Sequence, residues 1–382
     1  MLEQGALTGL TVIDLSRLLP GPYASMILAD HGARVIAIED RRFMSDNFFV
    51  TTVNRNKEHM SLNLKTSRGR DIFEKLLERA DVVIEGFRPG VVERLGIDYP
   101  SLSSRHPGII YCSISGYGQT GPYRDRVGHD VNYLASAGVL DLIGPADSAP
   151  SIPGIQIADI AGGGMNAVIG ILLAFIARSR TGKGQYIDIS MTDGMLGFLS
   201  LPMWFREMTG KSPHRSDAVL SHRYACYNTY ETADGRYLSI GAVENRFWKV
   251  LCEHFGVPQY TPLQYDEVHR QEIIAFMRER FRSKPIAEWE KELAPLEICY
   301  AKVNTLDEVL DHPMFRERHM VIDQSDATGK TIRQFGIPVK LGRTPGKLRT
   351  PPAAFGQHTK AILSELGYSE SEIASLVREG VV

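Results

Sequence analysis

Three residues of this 382-residue chain have side chains and settings suited to moving protons: His129, Asp159 and Glu244. His129 stands in V-G-H-D-V-N-Y at 127–133, just ahead of a helical pattern. An imidazole there can be a satisfied loop residue, a metal ligand or a proton-transfer group. Asp130 is positioned to cap a helix over about residues 131–137, which sets the ring beside a helix N-terminus. The positive end of the helix dipole disfavours imidazolium, so the sequence predicts a neutral ring able to accept a proton. Asp159, in Q-I-A-D-I-A-G-G-G, is flanked by Ile157, Ala158, Ile160 and Ala161 and followed by a glycine run. At such an apolar strand-to-helix junction a carboxyl is desolvated and its pKa rises unless backbone N–H groups compensate; a helix N-cap is the competing role. Glu244, in S-I-G-A-V-E-N-R-F-W, ends a strand before an aromatic helix start, where a cap or surface role competes with a catalytic one.

The elements that would position these residues read as alternating strand and helix. T-V-I-D-L-S, the turn R-L-L-P-G-P, the helical run Y-A-S-M-I-L-A-D-H-G and the strand A-R-V-I-A-I-E-D make a βαβ unit. S-L-N-L, an amphipathic helix with Ile72, Phe73, Leu76 and Leu77 on one face, and D-V-V-I-E-G-F repeat it, and I-I-Y-C-S-I-S-G and G-Q-Y-I-D-I-S-M add strands. The expected fold class is α/β: a large Rossmann-like open parallel sheet with helices on both faces, plus a smaller α+β domain. The small domain opens with a hairpin about Asp234-Gly235 and continues in two amphipathic helices within 269–283 and 284–294. Expected boundaries are 1–190 and 325–382 for the large domain, 191–219 for a helical linker and 220–324 for the small domain. The tail offers strand-like I-P-V-K-L at 337–341 and two short helices, the second opened by Ser369 with Glu372 in capping-box spacing; it is expected to pack back on the large domain.

Composition narrows the function. Lys and Arg total 43 against 45 Asp and Glu, a net charge of −2, which argues against bulk binding to nucleic acid. The apolar run 165–177 is shorter than the roughly 18–20 residues of a membrane span, so a buried core helix is expected and no membrane partner. The four cysteines have no C-x-x-C pair, no metal site is indicated, and a reducing, cytoplasmic compartment fits. Glu39 and Asp40 end the second strand where a ribose-binding acid would sit, yet the turn R-L-L-P-G-P lacks the glycine fingerprint of a dinucleotide site. Arg41, Arg42, Arg55, Lys57, Lys65, Arg88 and Arg94 gather near strand ends. Singly each reads as solvated rim; together, at the carboxyl ends of parallel strands, they suit a compact phosphate-rich ligand such as a nucleotide-containing carrier.

With these residues the chain resembles the family III CoA-transferases, the CaiB/BaiF superfamily, and within them the α-methylacyl-CoA racemases. General family features are L-T-G-L-T-V-I-D-L-S-R-L-L-P-G-P, N-R-N-K with L-N-L-K, E-G-F-R-P-G-V-V-E-R-L-G and the late G-Q-H-T-K-A-I-L-S-E-L-G. The racemase branch is marked by G-H-D-V-N-Y, by Asp159 in A-D-x-x-G-G-G and by Glu244 in G-A-V-E. The resemblance implies an interlocked homodimer, each chain threading through the other, with the active site at the interface and Glu244 contributed by either chain. It implies CoA contacts at Arg41, Leu62, Asn63, Leu64, Lys65, Gly86, Phe87, Arg88 and Arg94, and a thioester lined by Gly128, His129, Asp130, Val131, Asn132 and Tyr133.

The reaction implied is inversion at C2 of a 2-methylacyl-CoA thioester through an enolate. His129 and Asp159 exchange the roles of base and acid on opposite faces, and Glu244 orients or polarises His129. Backbone N–H groups near Gly128 are candidates to hold the thioester oxygen. No cofactor is required, because CoA arrives with the substrate. Transferases of the fold keep an acid matching Asp159 and use it as a nucleophile, but typically lack the histidine; a CoA-binding protein without chemistry is the other rival. Met191, Met195, Met203 and Trp204 are candidates for the acyl surface or simply core.

Overall fold

The computed structural model describes residues 5–44, 49–325 and 329–382. Among these, Thr11–Asp14 (β1), Arg34–Glu39 (β2), Glu58–Ser61 (β3), Val82–Glu85 (β4), Ile110–Ser115 (β5) and Tyr186–Ser190 (β6) form one parallel sheet in the order β3-β2-β1-β4-β5-β6. The central strands β1, β2, β4 and β5 are short and rich in Val, Ile and other buried apolar side chains, as a sheet covered on both faces requires, whereas the edge strands β3 (Glu-His-Met-Ser) and β6 (Tyr-Ile-Asp-Ile-Ser) are more polar. Chain order reverses between β1 and β4, so a crevice opens there at the carboxyl ends, where sheets of this topology bind ligands.

Helices Pro20–Asp30 (α1), Ser67–Leu77 (α2), Val91–Leu95 (α3), Tyr99–Ser103 (α4), Asp130–Ser136 (α5) and Asn166–Thr181 (α6) belong to the same unit. Ile72, Phe73, Leu76 and Leu77 of α2 are buried against Ile13, Ile36, Met60 and Val83 of the sheet. The tail returns to this core, with Ile362, Leu363, Ile373, Leu376 and Val381 in the same cluster. Its last helix, Glu370–Arg378, has the expected capping box: Ser369 N–H donates to Glu372 Oε2 at 2.7 Å and Glu372 N–H donates to Ser369 Oγ at 3.4 Å. Ser369→Ala is expected to cost about 1 kcal/mol, read as a lower denaturation midpoint with unchanged slope.

The expected boundaries and elements differ from the structure in several places. The larger compact unit comprises 1–137, 153–198 and 312–382, and the smaller 138–152 and 199–311. Residues 312–324, expected in the small domain, belong to the large unit, where the strand Val321–Ser325 pairs antiparallel with Thr331–Phe335. I-P-V-K-L forms no strand, since Gly336 and Pro338 interrupt the ladder. S-L-N-L is not a strand either: β3 ends at Ser61, and Leu62–Lys65 is the loop that follows, capped by Thr66 at the start of α2. The small unit has the expected hairpin, Tyr227–Glu231 with Tyr237–Gly241, around Gly235 at φ +70°. Its helices Arg270–Phe281 and Ile286–Leu293 bury Met277, Phe281, Trp289 and Leu293.

The N-R-N-K motif is structural. Arg55 and Asp30 are almost fully buried and paired through two nitrogens, Nε at 3.0 Å from Oδ1 and Nη2 at 2.6 Å from Oδ2. Asn56, left-handed at φ +59°, donates to Asp30 Oδ1 at 2.7 Å and to Lys347 O at 2.8 Å, and accepts from the N–H groups of Arg349 and Thr350. Lys57 is fully buried, donating to Pro22 O at 2.7 Å, with Asp14 Oδ2 at 3.7 Å. Burial pushes its ammonium down to about 8 against the pull of Asp14. Arg55 and Lys57 are therefore neither solvated rim nor ligand contacts; they tie α1 and the returning tail to the sheet.

Candidate active site

A cavity of about 630 Å³ lies at the carboxyl ends of β1 to β4. Its wall includes Leu15, Arg17 and Leu18 after β1, Glu39, Asp40, Arg42 and Phe43 after β2, Leu62, Leu64 and Lys65 after β3, and Gly86, Phe87, Arg88 and Arg94 after β4. Each βα loop thus supplies an apolar side chain and a cation, a combination suited to an aromatic base joined to phosphates. Of the residues the resemblance assigns to CoA, Leu62, Leu64, Lys65, Gly86, Phe87, Arg88 and Arg94 line this cavity. Arg41 is exposed beside it, and Arg42 takes the wall position. The Asn63 amide is engaged within the protein, Oδ1 accepting from Lys65 N–H at 3.1 Å and Nδ2 donating to Gly380 O at 3.5 Å.

Sequence reasoning missed Arg17. Its guanidinium lies over the Phe43 ring, 3.4 Å from the centroid, and is paired with Glu39, whose other oxygen is 3.6 Å from His59 Nε2. His59 Nδ1 accepts from Gly356 N–H at 2.8 Å, which leaves the proton on Nε2 facing Glu39. Glu39 is thus engaged by Arg17 and His59, in keeping with the absence of a dinucleotide fingerprint. Leu18, beside Arg17, takes φ +67°, an unfavourable backbone region for leucine, and turns toward the cavity. The available signal was position: a cation directly after the strand at the switch point.

His129 is the N-cap of α5 and is exposed. Its N–H donates to Asn132 Oδ1 at 3.0 Å, and its carbonyl accepts from Asn132 N–H at 2.8 Å. The expected capping by Asp130 does not occur. Asp130 is the first helical residue, and its Oδ1 instead accepts the N–H of Asp159 at 2.9 Å, joining the two segments that carry the candidate bases. Tyr133 fixes the turn before His129: its ring packs on Gly116 and Gly128, where any Cβ would come within 2.8 Å of ring atoms, and its hydroxyl donates to Gly128 O at 2.5 Å. Burial and the Asp159 carboxylate push that phenol up to about 12, while Arg88 pulls it down, so the cavity's Arg88 and this segment share one electrostatic neighbourhood.

Asp159 sits in the first turn of a π-helix, Ala158–Met165, that runs into α6; a strand-to-helix junction was expected. Gly162, Gly163 and Gly164 permit this wide turn to touch its neighbours. A Cβ on Gly162 would lie 2.5 Å from Met191 O, on Gly163 2.9 Å from Pro20 Cβ, and on Gly164 2.9 Å from Pro20 O. Met191 and Met195 are therefore core supports of the turn, whereas Met203 and Trp204 are half exposed. Burial, then the Asp130 carboxylate, pushes the Asp159 carboxyl up to about 6, with His129 opposing.

The apolar helix is also longer than expected. Helix 158–181 runs 24 residues and is apolar and long enough to cross a membrane by length and composition. Its inner side, with Val168, Ile171 and Ala174, is buried, while Met165, Ile169, Leu173 and Ile176 are exposed. Glu244 lies in the small unit as N-cap residue of the helix Asn245–His254; it is exposed and its side chain makes no cap hydrogen bond.

Residues 7–359 match the family described as CoA-transferase family III. The chain belongs to that family. It is 35% identical to the alpha-methylacyl-CoA racemase of Homo sapiens over 379 residues, covering 99% of this chain and 97% of that protein. It is equally, at 35% over 418 residues, similar to an acyl-CoA transferase of Fusarium pseudograminearum, covering 100% of this chain and 89% of that one. A crystal structure of a CaiB/BaiF family protein from Brucella suis superposes with a TM-score of 0.84 at 31% identity, over 95% of this chain and all of that one. These relatives establish a family III enzyme fold and include both racemases and transferases.

One consequence is testable at Asp130. Asparagine there keeps an acceptor for the Asp159 N–H but removes the negative charge that raises the Asp159 pKa. Asp130→Asn is expected to move the pH–rate profile toward lower pH, measured as kcat/KM between pH 5 and 9.

Proposed function

We propose that this family III enzyme is a 2-methylacyl-CoA racemase that inverts C2 by proton transfer through an enolate. The observation that carries the reading is the pairing of His129, exposed at the opening of α5, with Asp159, hydrogen-bonded through its backbone to the same helix and carrying a carboxyl pushed up to about 6. A carboxyl in that range is available as acid and as base at neutral pH. In one direction neutral His129 removes the proton and protonated Asp159 returns one to the other face; in the other, Asp159 removes it and imidazolium returns it. Both working forms hold one proton between the two groups, so adding or removing a proton stops both directions. Amide groups opening α5 are the candidate donors to the enolate oxygen. The cavity beside β1 to β4 takes CoA, and the chemistry asks nothing of a separate cofactor.

The same reading makes the active enzyme an interlocked homodimer and keeps Glu244 as the candidate residue that orients or polarises His129. The exposed apolar side chains Met165, Ile169, Leu173 and Ile176, at helical spacing on one face, support a covered surface there.

A transferase reading is favoured by one finding, the equal identity to an acyl-CoA transferase. In it ionised Asp159 attacks the thioester carbonyl, expels CoA thiolate and forms an acyl anhydride. Incubation of an acyl-CoA with a radiolabelled carboxylic acid separates the two. The racemase reading expects no label in the CoA ester pool, and rapid labelling would replace it with the transferase.

A further inference from the structure

His59 is a buried imidazole that the proposed chemistry does not use, and it sits behind the cavity wall rather than in it. The returning tail holds both its backbone and its ring. His59 N–H donates to His358 Nδ1 at 3.1 Å, and His59 O accepts the N–H of His358 at 2.9 Å. Gly356, left-handed at φ +67°, turns its own N–H onto His59 Nδ1 at 2.8 Å. Phe49 and Phe355 pack against the imidazole, with ring centroids 5.0 and 4.8 Å away, and fix its plane. Because Nδ1 accepts, the ring proton is on Nε2, where it faces Glu39 Oε2 at 3.6 Å. That contact is longer than a formed hydrogen bond and acts as a dipole set against the carboxylate charge. The other Glu39 oxygen, Oε1, accepts from Arg17 Nε, and Arg17 lies over Phe43, both of them lining the cavity. A chain of contacts thus runs from the tail, through His59 and Glu39, to a guanidinium in the cavity wall.

We propose that His59 is a positioning residue for bound CoA: its Nε2–H holds the Glu39 carboxylate in the orientation that lays Arg17 over Phe43, and the tail decides which ring nitrogen carries that proton. This role rests on the reading of the cavity as the CoA site. Glu39 is an acid in a wall that has to receive phosphates, so its charge must be engaged before an anionic ligand arrives. Arg17 engages one oxygen, and the His59 N–H dipole offsets the other. Burial raises the Glu39 pKa, yet His59 and Arg17 together hold it below the usual carboxylate range, in keeping with an ionised Glu39. Without a donor at Nε2 the carboxylate is free to turn, and Arg17 turns with it.

Two amide side chains separate the two ring nitrogens. Asparagine places its carbonyl oxygen near the Nδ1 position and so keeps an acceptor for Gly356, but it has no donor that reaches Glu39. Glutamine places its NH2 near the Nε2 position and so keeps the donor, while giving up the acceptor. Both lose the ring contacts with Phe49 and Phe355, so the difference between them isolates the nitrogens.

The test uses the full chain and two readouts besides stability. CoA affinity is measured by calorimetry, and reactivity of Arg17 toward phenylglyoxal is followed without ligand by peptide mass. His59→Asn is expected to keep its denaturation midpoint relative to His59→Gln, to bind CoA about fivefold more weakly than wild type, as loss of one polar link does, and to expose Arg17 to faster modification. His59→Gln is expected to show the crossed pattern, with a lower midpoint, near wild-type affinity and slow modification. Stability and affinity falling together in the same variant would reduce His59 to a tail anchor and overturn the proposal. In an Arg17→Met background, His59→Asn is expected to weaken CoA binding no further; a second loss there would mean that His59 does not act through Arg17. Wild type that fails to bind CoA would overturn the cavity reading and the ligand role of His59 with it. Equal Arg17 reactivity in wild type and His59→Asn would overturn the coupling itself, whatever the cavity binds.

Discussion

Replacing Asp159 by alanine is expected to lower interconversion of 2-methylacyl-CoA epimers by about 10²- to 10⁴-fold, the contribution of one acid–base group. The informative part is what survives. The variant keeps His129, which can still remove the C2 proton from the face it serves and return a deuteron to that face, giving exchange without inversion. His129→Ala is expected to show the mirror result, with exchange confined to the other epimer. The assay is C2 deuterium content against chirality, starting from each pure epimer. Exchange from both epimers in either single variant would show that the missing group is not the base for its face. Asp159→Ala leaves in place the close contacts of the glycines of the π-helical turn with Met191 and Pro20, so a folded protein is expected.

The largest stability effect is expected far from the chemistry, at Asp30. Its carboxylate holds two nitrogens of the buried Arg55 and the Asn56 amide. Asp30→Ala leaves a guanidinium buried without its counter-ion and is expected to cost about 3–5 kcal/mol, the range for breaking one side of a buried pair. Denaturant titration reads this directly. Adding Arg55→Met to Asp30→Ala removes the stranded charge and is expected to recover part of the loss. A single-variant cost below about 1 kcal/mol, as for exposed pairs, would mean that the pair is not isolated from water.

The contrast between Arg55 and Arg88 explains how much of the molecule was legible in the sequence. Strands β1, β2, β4 and β5 are largely apolar runs bounded by turn residues, β6 alternates about two isoleucines, and α2 carries its buried face at helical spacing, so these strands of the parallel sheet follow from pattern alone. Charge offers no such pattern. Arg55, Lys57, Arg88 and Arg94 read alike in sequence, yet the first two are buried against Asp30 and Asp14 while the last two line the cavity. Only partners distant in sequence distinguish them. The π-helical turn was read as a strand-to-helix junction because three glycines weaken the expectation of any helix, and the close approach of Met191 and Pro20 that requires them is tertiary. Asp130 looked like a cap by type and spacing, and the N–H it accepts comes from Asp159, 29 positions away. The elevated Asp159 pKa was legible from its apolar neighbours, although the second cause, Asp130, was not.

The measurement that bears most directly on the central claim is incubation of the protein with one pure epimer of a 2-methylacyl-CoA in deuterated buffer, without an acceptor acid. Two bases on opposite faces predict deuterium at C2 appearing together with the inverted epimer, and approach to equal amounts of both from either starting epimer. Retention of the C2 proton and of configuration, with CoA passing to a carboxylic acid once one is supplied, would contradict the racemase account and make Asp159 a nucleophile.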